Sequence, residues 1–434
     1  MSGGISPAAV LGAIARHGRA SRAELEAWRL AQLRRKLTHA GAHVPYWRDL
    51  FARHGFRPEA LRSVADLERL PVTGKRELAA ADPAALLARG TDPARLNAMR
   101  SSGTSGEPFT VRRTSLEQHL LFLFRLRAMH ALGHRPTDRI AYLHCVGAAE
   151  ARPKPFGRLL ASAGLLRTTH IDILQPPERI AAELRACRPD VILTYPGVLD
   201  RVAALPAAER EGIRPRVIFT GAEVLTPLVR ASLQETFGAR VHNLYASTEF
   251  HLIAWECPAS ATGTLHVCDD ALVLEVLADG RPAGPGERGE AVVTGLHGYA
   301  MPLVRYRIGD VVLRGETPCR CGVPFSTLEQ VEGRTIDYFR LPNGRTIHPY
   351  QLTDRIVWEG APWVRQFQLV QESPTRVRMR VVPARRPDAA EIARVTAEIA
   401  EAMRPVAFVL ELVSHIPPEP GGKVRPFVNA VDAA

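Results

Sequence analysis

The chain has 434 residues, enough for one large domain and a smaller one, and its 46% hydrophobic content supports a sizeable core. Net charge is +11, yet the basic residues are scattered, and no RNP, helix-turn-helix or finger spacing stands beside them, so nucleic acid is not an expected partner. No apolar run reaches the length of a membrane span, and Met1 to Gly18 has no basic start before its short apolar patch, so a cytoplasmic chain without a membrane partner is expected.

Only four of the 56 basic residues are lysines, Lys36, Lys75, Lys154 and Lys423. In a chain that has drifted to arginine, a retained lysine marks a place where a compact ammonium suits better than a planar fork. Six cysteines are too few and too scattered for a disulfide scaffold, so reduced thiols are expected.

In chain order, Arg22 to Arg53 reads as helical, with Leu25, Trp28, Leu30, Leu33 and Leu37 as its apolar stripe and an end near Ala40-Gly41. Val64 to Leu87 reads as short helices around Pro71-Val72-Thr73-Gly74-Lys75, with Lys75 solvated. Next comes Ser101-Ser102-Gly103-Thr104-Ser105-Gly106-Glu107-Pro108, where small hydroxyls alternate with glycines. Glycine allows close backbone approach to an anion, and hydroxyls and bare N–H groups donate to phosphate oxygens. Alone, the stretch reads first as an ordinary polar loop. It matches neither a Walker loop nor Gly-x-Gly-x-x-Gly.

A helix follows from Ser115 to Leu132, with Ser115 and Gln118 spaced as a capping box. Strand and helix then alternate. Strands are expected at 139–145, 168–173, 191–195, 217–220 and 241–245, and helices at 156–163, 177–187, 196–205 and 225–237. Such alternation implies an α/β fold with a parallel sheet flanked by helices, which binds ligands beyond the carboxyl ends of its strands. Three strand ends carry chemistry: Tyr195-Pro196-Gly197, Gly221-Ala222-Glu223, and Tyr245-Ala246-Ser247-Thr248-Glu249.

From Gly263 the period changes to that of an antiparallel sheet or distorted barrel, which leads into Val304-Arg305-Tyr306-Arg307-Ile308-Gly309-Asp310. Beyond Arg334, strands at 336–341, 346–348, 364–370, 376–382 and 408–413 and a helix at 388–403 make a small α+β unit. The expected division is 1–334 and 335–434, with a hinge near Arg334 to Arg340. In the tail, Lys423 follows a double glycine.

Together and in this order, the Ser/Thr/Gly loop, Tyr-x-Ser-Thr-Glu, Tyr-Arg-x-Gly-Asp with Gly-Arg, and Gly-Gly-Lys resemble the adenylate-forming superfamily of acyl-CoA synthetases. Ser101 to Pro108, Tyr245 to Glu249, Cys257 with Leu265-His266-Val267, and Val304 to Asp310 are similar to the phenylacetate–CoA ligase branch. The resemblance covers nearly the whole chain. It implies a large N-terminal domain, with parallel sheets and a distorted barrel, and a small mobile C-terminal lid. By resemblance, Ser101, Ser102, Gly103, Thr104, Ser105 and Gly106 would hold the β- and γ-phosphates of ATP, with Thr248 adding a hydroxyl. Glu249 would carry Mg²⁺, a hard cation suited to carboxylate and phosphate oxygens. Tyr245 would stack on adenine, with Ala246 and Ser247 beside it. Gly221, Ala222 and Glu223 would line the nucleotide, Asp310 would accept the ribose hydroxyls with Arg334 nearby, and Lys423 would swing in with the lid.

Departures fall at Glu107, where relatives often have lysine, at Ala246 in place of a glycine, and at a hinge that keeps only Asp337. His144, Val146, Gly147, Tyr195, Phe250 and His251 are the acyl-pocket candidates by position. Cys257, His266, Cys319 and Cys321 would satisfy a structural Zn²⁺, with His251 as an alternative ligand and free thiols as the competing reading. The expected reaction is ATP-dependent activation of an apolar carboxylic acid, with an aromatic one favoured, followed by transfer to CoA. Transfer to a carrier-protein thiol or an amine, and a non-catalytic ligand-binding role, stay open. A homodimer is consistent with the resemblance.

Overall fold

The protein is described from a computed structural model, which defines residues 7–100, 109–144, 164–165, 167–260, 263–317, 319–334, 339–343, 346–347, 361, 363–418 and 424–431. By compactness the chain divides into two units, Met1–Leu132 with Leu244–Glu332, and Gly133–Asn243 with Gly333–Ala434.

In the first unit, Ser21 opens the helix Arg22–His43 through a capping box with Glu24. Leu25, Leu33, Leu37 and Ala40 form its buried face, and Leu33, Leu37 and Ala40 share a core with Trp47, Leu50 and Phe51 of the helix Pro45–Arg53. The helix runs past the expected stop at Ala40-Gly41. It ends where Val44 turns extended (φ −110°), because the ring of Pro45 disfavours helical backbone in the residue before it.

The helix Ser115–Ala131 starts at the expected residue, but its cap lies one position before the expected Ser115. Thr114, not Ser115, accepts the N3 backbone N–H, and the Glu117 carboxylate returns the bond to the Thr114 N–H at 2.8 Å. The other Glu117 oxygen accepts from Tyr299 N at 2.6 Å and Ala300 N at 2.9 Å, so one buried carboxylate caps a helix and ties a distant loop. Antiparallel pairing joins Leu272–Ala278 to Arg288–Gly295 and Arg288–Gly295 to Tyr306–Arg314, with a register shift between Glu290 and Val292. It also joins Thr327–Arg334 to Leu265–Val267, and Leu265–Val267 to His251–Glu256.

Two fully buried carboxylates fasten helices to this sheet. Asp269 accepts from Arg22 at 2.9 Å and from Ser326 N at 2.6 Å, and Arg29 lies 3.2 Å away. Asp270 takes both terminal nitrogens of Arg127, and His17 Nδ1 stands 3.4 Å off. The Arg127 guanidinium also lies over the rings of Phe325, Trp255 and Phe124, at 5.0 to 5.5 Å from their centroids.

In the second unit, parallel strands run in the order Arg167–Asp172, Arg139–His144, Val191–Thr194, Val217–Gly221. The helices Pro177–Cys187, Pro196–Ala203 and Pro227–Phe237 bury Ile180, Leu184, Val198, Leu199, Leu233 and Phe237 in the core of that sheet. The C-terminal residues build a smaller α+β body. Its sheet has the order Ala407–Leu412, Arg376–Pro383, Val364–Ser373, Phe427–Asn429. The helix Ala389–Met403, capped by Asp388, packs Val395, Ile399 and Met403 into a core with Trp363, Phe367, Met379 and Phe427. The expected helix at 156–163 and the residues 335–338 of the expected hinge lie outside the described residues.

Replacing Asp270 by Asn leaves Arg127 buried without its counter-charge. The expected loss is about 3–5 kcal/mol of stability in urea unfolding at neutral pH. A change below about 1 kcal/mol would show the pair to be dispensable.

Candidate active site

The Ser101 to Gly106 stretch lies outside the described residues, but the chain on either side of it does not. Asn97–Arg100 and Thr110–Arg113 pair antiparallel, with Arg100 opposite Thr110. From the second of these strands, the Arg113 guanidinium donates to Thr248 O at 3.1 Å and to Glu249 O. Burial pulls Arg113 down to about 10, against the opposing pull of the Glu117 and Glu249 carboxylates. A buried arginine thus fixes the backbone of the two residues expected to meet phosphate and magnesium.

The strand Arg240–Ser247 ends in the Tyr245 to Glu249 segment, and its last residues pair with His251–Glu256. Tyr245 is buried, and its hydroxyl donates to Asp310 Oδ2 at 2.7 Å. Gly309, at φ +86°, allows the strand Tyr306–Arg314 to present Asp310 beside it. Ala246 is exposed, and Ser247 accepts from Phe250 N at 3.2 Å, closing the turn that projects Thr248 and Glu249. The Tyr306 hydroxyl donates to Glu249 Oε1 at 3.4 Å, a weak contact, while its ring stacks on Phe109 at 6.0 Å. Tyr245, Thr248, Glu249 and Asp310, predicted from separate motifs, are thus brought to one wall. Arg113 and Tyr306 complete it. Sequence reasoning missed both as site residues, because Arg113 is one arginine among many and Tyr306 lies inside an apolar strand.

Phe250 is buried against the Tyr306 ring at 6.0 Å. His251 adopts φ +64°, and burial with the nearby Arg113 and Arg125 charges lowers it to about 3, so it is a neutral imidazole. In the second unit, His144 Nε2 lies 2.8 Å from His170 Nδ1, and its ring stacks on Tyr142 at 4.3 Å. Tyr195 is half-buried at the start of the helix Pro196–Ala203. Gly221 ends its strand, and Ala222 turns the chain at φ +64°. Glu223 does more than line a turn: its carboxylate accepts from Gly197 N at 2.9 Å and from Val424 N at 2.8 Å. Val146, Gly147 and Lys423 lie outside the described residues, and Arg334 is the last residue of the strand Thr327–Arg334.

Cys257, His266, Cys319 and Cys321 converge, with all four ligand atoms within 4.8 Å of one another. Cys257 follows one strand and His266 is the middle of the next, while Gly322 closes the Cys319 turn by donating to Cys319 O at 3.0 Å. The Cys257 and Cys319 sulfurs are 3.9 Å apart, and Cys321 Sγ is 3.2 Å from His266 Nε2. Tetrahedral zinc with sulfur at ~2.3 Å and nitrogen at ~2.0 Å sets ligand atoms roughly 3.5–3.8 Å apart, so the donor set fits. His251 is not in the group.

The sequence model of the AMP-binding enzyme family matches residues 34–300. The chain belongs to that family. This AMP-binding enzyme is 28% identical over 341 residues to the phenylacetate-coenzyme A ligase of Pseudomonas putida, covering 76% of this chain and 74% of the relative. It is 28% identical over 342 residues to that of Thermus thermophilus, covering 76% and 75%. It is similar in fold to a 2-hydroxyisobutyryl-CoA ligase in a postadenylation state, with a TM-score of 0.77, 21% identity, and 95% and 91% of the two chains covered. The family branch is the phenylacetate–CoA ligase-like one. No described helix is long and apolar enough to cross a membrane.

Behind Glu249, a small cavity in the first unit is lined by Lys36, Arg113, Phe250 and His297 among others. Lys36 is 1% exposed, and among the described residues none accepts a hydrogen bond or forms an ion pair with it. A Cβ at Gly295 or Gly298 would stand 3.6 or 3.7 Å from its Nζ, so the glycines leave the amine room. Burial lowers Lys36 to about 7, Arg113 adds to the depression, and Glu117 opposes it. An unfolded lysine holds its proton to about pH 10.4. Between about 7 and that value the unfolded chain binds the extra proton, so stability rises with pH, by at most ~1.4 kcal/mol per unit. Lowering the pH through the same window removes the gain. Lys36→Met is therefore expected to flatten this slope in urea titrations at pH 7, 8 and 9, and to be at least as stable as the native chain at pH 7. Parallel slopes would contradict a depressed Lys36.

Proposed function

We propose that the chain uses ATP to convert an apolar, aromatic carboxylic acid into its acyl-adenylate and then passes the acyl group to CoA. The observation that carries the reading is the wall on which Tyr245 holds Asp310 at 2.7 Å while Arg113 pins the carbonyls of Thr248 and Glu249. An ionised Asp310 suits two ribose hydroxyls, and its bond from Tyr245 fixes the ring that would lie against the base. Membership of the AMP-binding family and similarity to phenylacetate-coenzyme A ligases support the reaction class. The alternative of a non-catalytic binder leaves the Glu249, Asp310 and Lys423 set without a purpose.

In the first half-reaction a carboxylate oxygen of the acid attacks the α-phosphorus and pyrophosphate leaves. In the second, the CoA thiol adds to the acyl carbon, loses its proton, and AMP leaves. Two anions must meet in the first step, so the site has to suppress their repulsion. The Ser101 to Gly106 backbone and Thr248 would take the phosphates, and Lys423 would meet the developing charge. Glu249 keeps a carboxylate oxygen free of the weak Tyr306 contact and would hold Mg²⁺, which supplies charge neutralisation at the phosphates. Residues 335–434 would act as the lid that brings Lys423 in and later turns to admit CoA.

Cys257, His266, Cys319 and Cys321 would hold a structural zinc ion, which would supply a cross-link between strand and turn. Burial pushes the Cys257 thiol up to about 12 and the His266 imidazole down to about 4, so a neutral imidazole is ready to bind and a thiolate requires a cation.

An ATP–pyrophosphate exchange screen over a panel of carboxylic acids, phenylacetate included, tests the first half-reaction. Exchange dependent on an aromatic acid is expected, and Lys423→Ala should lower it by about 100-fold or more. Exchange with no acid in the panel would remove the assignment. Offering CoA, a carrier protein and an amine separately identifies the acceptor, with the CoA thioester as the expected product.

Metal analysis of freshly purified protein is expected to give about one zinc per chain, lost in Cys321→Ser together with thermal stability. Metal-free native protein of unchanged stability would overturn the zinc assignment.

A further inference from the structure

The second unit contains a set of contacts that the adenylation chemistry does not require by itself. Asp200, on the helix Pro196–Ala203, faces Arg365 on the strand Val364–Ser373. Arg365 Nε donates to Asp200 Oδ2 at 3.1 Å, and its terminal nitrogen donates to Asp200 Oδ1 and to the Asp200 carbonyl, both at 3.0 Å. Asp200 is 8% exposed, and Ser232 Oγ reaches it at 3.4 Å. Such a fork-on-carboxylate pair has one geometry and fixes orientation as well as distance.

The Glu223 carboxylate repeats the theme nearby. One oxygen accepts from Gly197 N, next to the same helix start, and the other from Val424 N, the residue that follows Lys423 in the chain. The approach is close, since a Cβ at Gly197 would sit 3.0 Å from the Glu223 oxygen and oblige that carboxylate to shift. Val224, the next residue, packs against the core of the C-terminal body. Arg201 lies among these groups, with the Glu223 and Asp200 charges acting on it.

We infer that Asp200–Arg365 and Glu223–Val424 form a two-point clasp that holds the C-terminal body to the helix Pro196–Ala203 and the Glu223 turn for adenylate formation and has to open before thioester formation. The inference rests on the two-step reading above and goes beyond it by naming the residues that set the balance between the steps. They are positioning residues: they act by holding the C-terminal body and touch no reacting atom. A clasp that favours one arrangement of the C-terminal body speeds the half-reaction run in it and does nothing for the other.

The test is Arg365→Gln and Asp200→Asn, each confirmed as folded by circular dichroism and assayed in separate halves with phenylacetate as the probe acid. Pyrophosphate exchange is expected to fall roughly 10- to 100-fold in kcat, with KM for ATP little changed. CoA thioester formation from synthetic phenylacetyl-adenylate is expected to stay near the native rate or to rise. Arg365→Lys, which keeps the charge and loses the fork, should lie between. Equal losses in both halves, or no loss in either, overturn the clasp. Hydrogen–deuterium exchange reads the same contacts without activity. Arg365→Gln should deprotect the Val424 amide and the first turn of Pro196–Ala203, and unchanged protection there overturns the clasp in active and inactive protein alike. Absence of exchange activity in the native chain, by contrast, counts only against the ligase reading.

Discussion

Asp269 and Asp270 are consecutive, fully buried carboxylates, and the first unit is arranged so that neither is left uncompensated. Arg22 and Arg29 reach one of them from a single long helix, while Arg127 and His17 reach the other. Burying an ion costs several kcal/mol, and only closely placed opposite charges and hydrogen bonds recover it. The helices therefore have little freedom to slide on the sheet. Orientation of this kind is what an apolar interface alone supplies poorly, since hydrophobic burial is non-directional.

The same constraint extends toward the candidate site. The Asp270 carbonyl holds His297 at 2.9 Å, and His297 shares a small cavity with Lys36, Arg113 and Glu249. Glu117 caps one helix, ties the Tyr299 loop and acts on the Lys36 and Arg113 charges. The backbone of Thr248 and Glu249 is thus pinned from behind by a buried polar layer. Preorganisation at a site that handles two anions is worth this cost in stability, because donors already in place need not reorganise when charge develops.

Much of the fold was legible in the residues, for reasons that differ from place to place. Short apolar strands bounded by glycine or proline marked the parallel sheet, and Pro177–Cys187 has the expected bounds because proline starts it and Arg188 turns left-handed at its end. Tyr245, Glu249 and Asp310 could be read because each ends or follows an apolar strand with a polar group that packing does not need. His251–Glu256 could not, since five of its six residues are buried, leaving no alternation, and no glycine or proline marks where it starts after Thr248-Glu249-Phe250. The same holds for the buried arginines. Their partners lie hundreds of positions away in some cases, and nothing local separates them from the solvated majority. Lys36 was noticeable only through the scarcity of lysine, and its burial came from tertiary packing. The capping box at Thr114 was displaced by one residue because two hydroxyls stand side by side and either can accept the N3 amide.

The first unit is discontinuous, Met1–Leu132 with Leu244–Glu332, and this governs the order in which it can be completed. Arg22 and Arg127 are synthesised 247 and 143 residues ahead of the carboxylates they meet. At translation speeds of about 5–20 residues per second, that is roughly 7 to 50 s. Throughout that interval the helical arm has cationic side chains without their anions and an apolar stripe without its sheet. Until then the helical arm is a basic amphipathic segment, and closure of the unit waits for a stretch that is translated well after it.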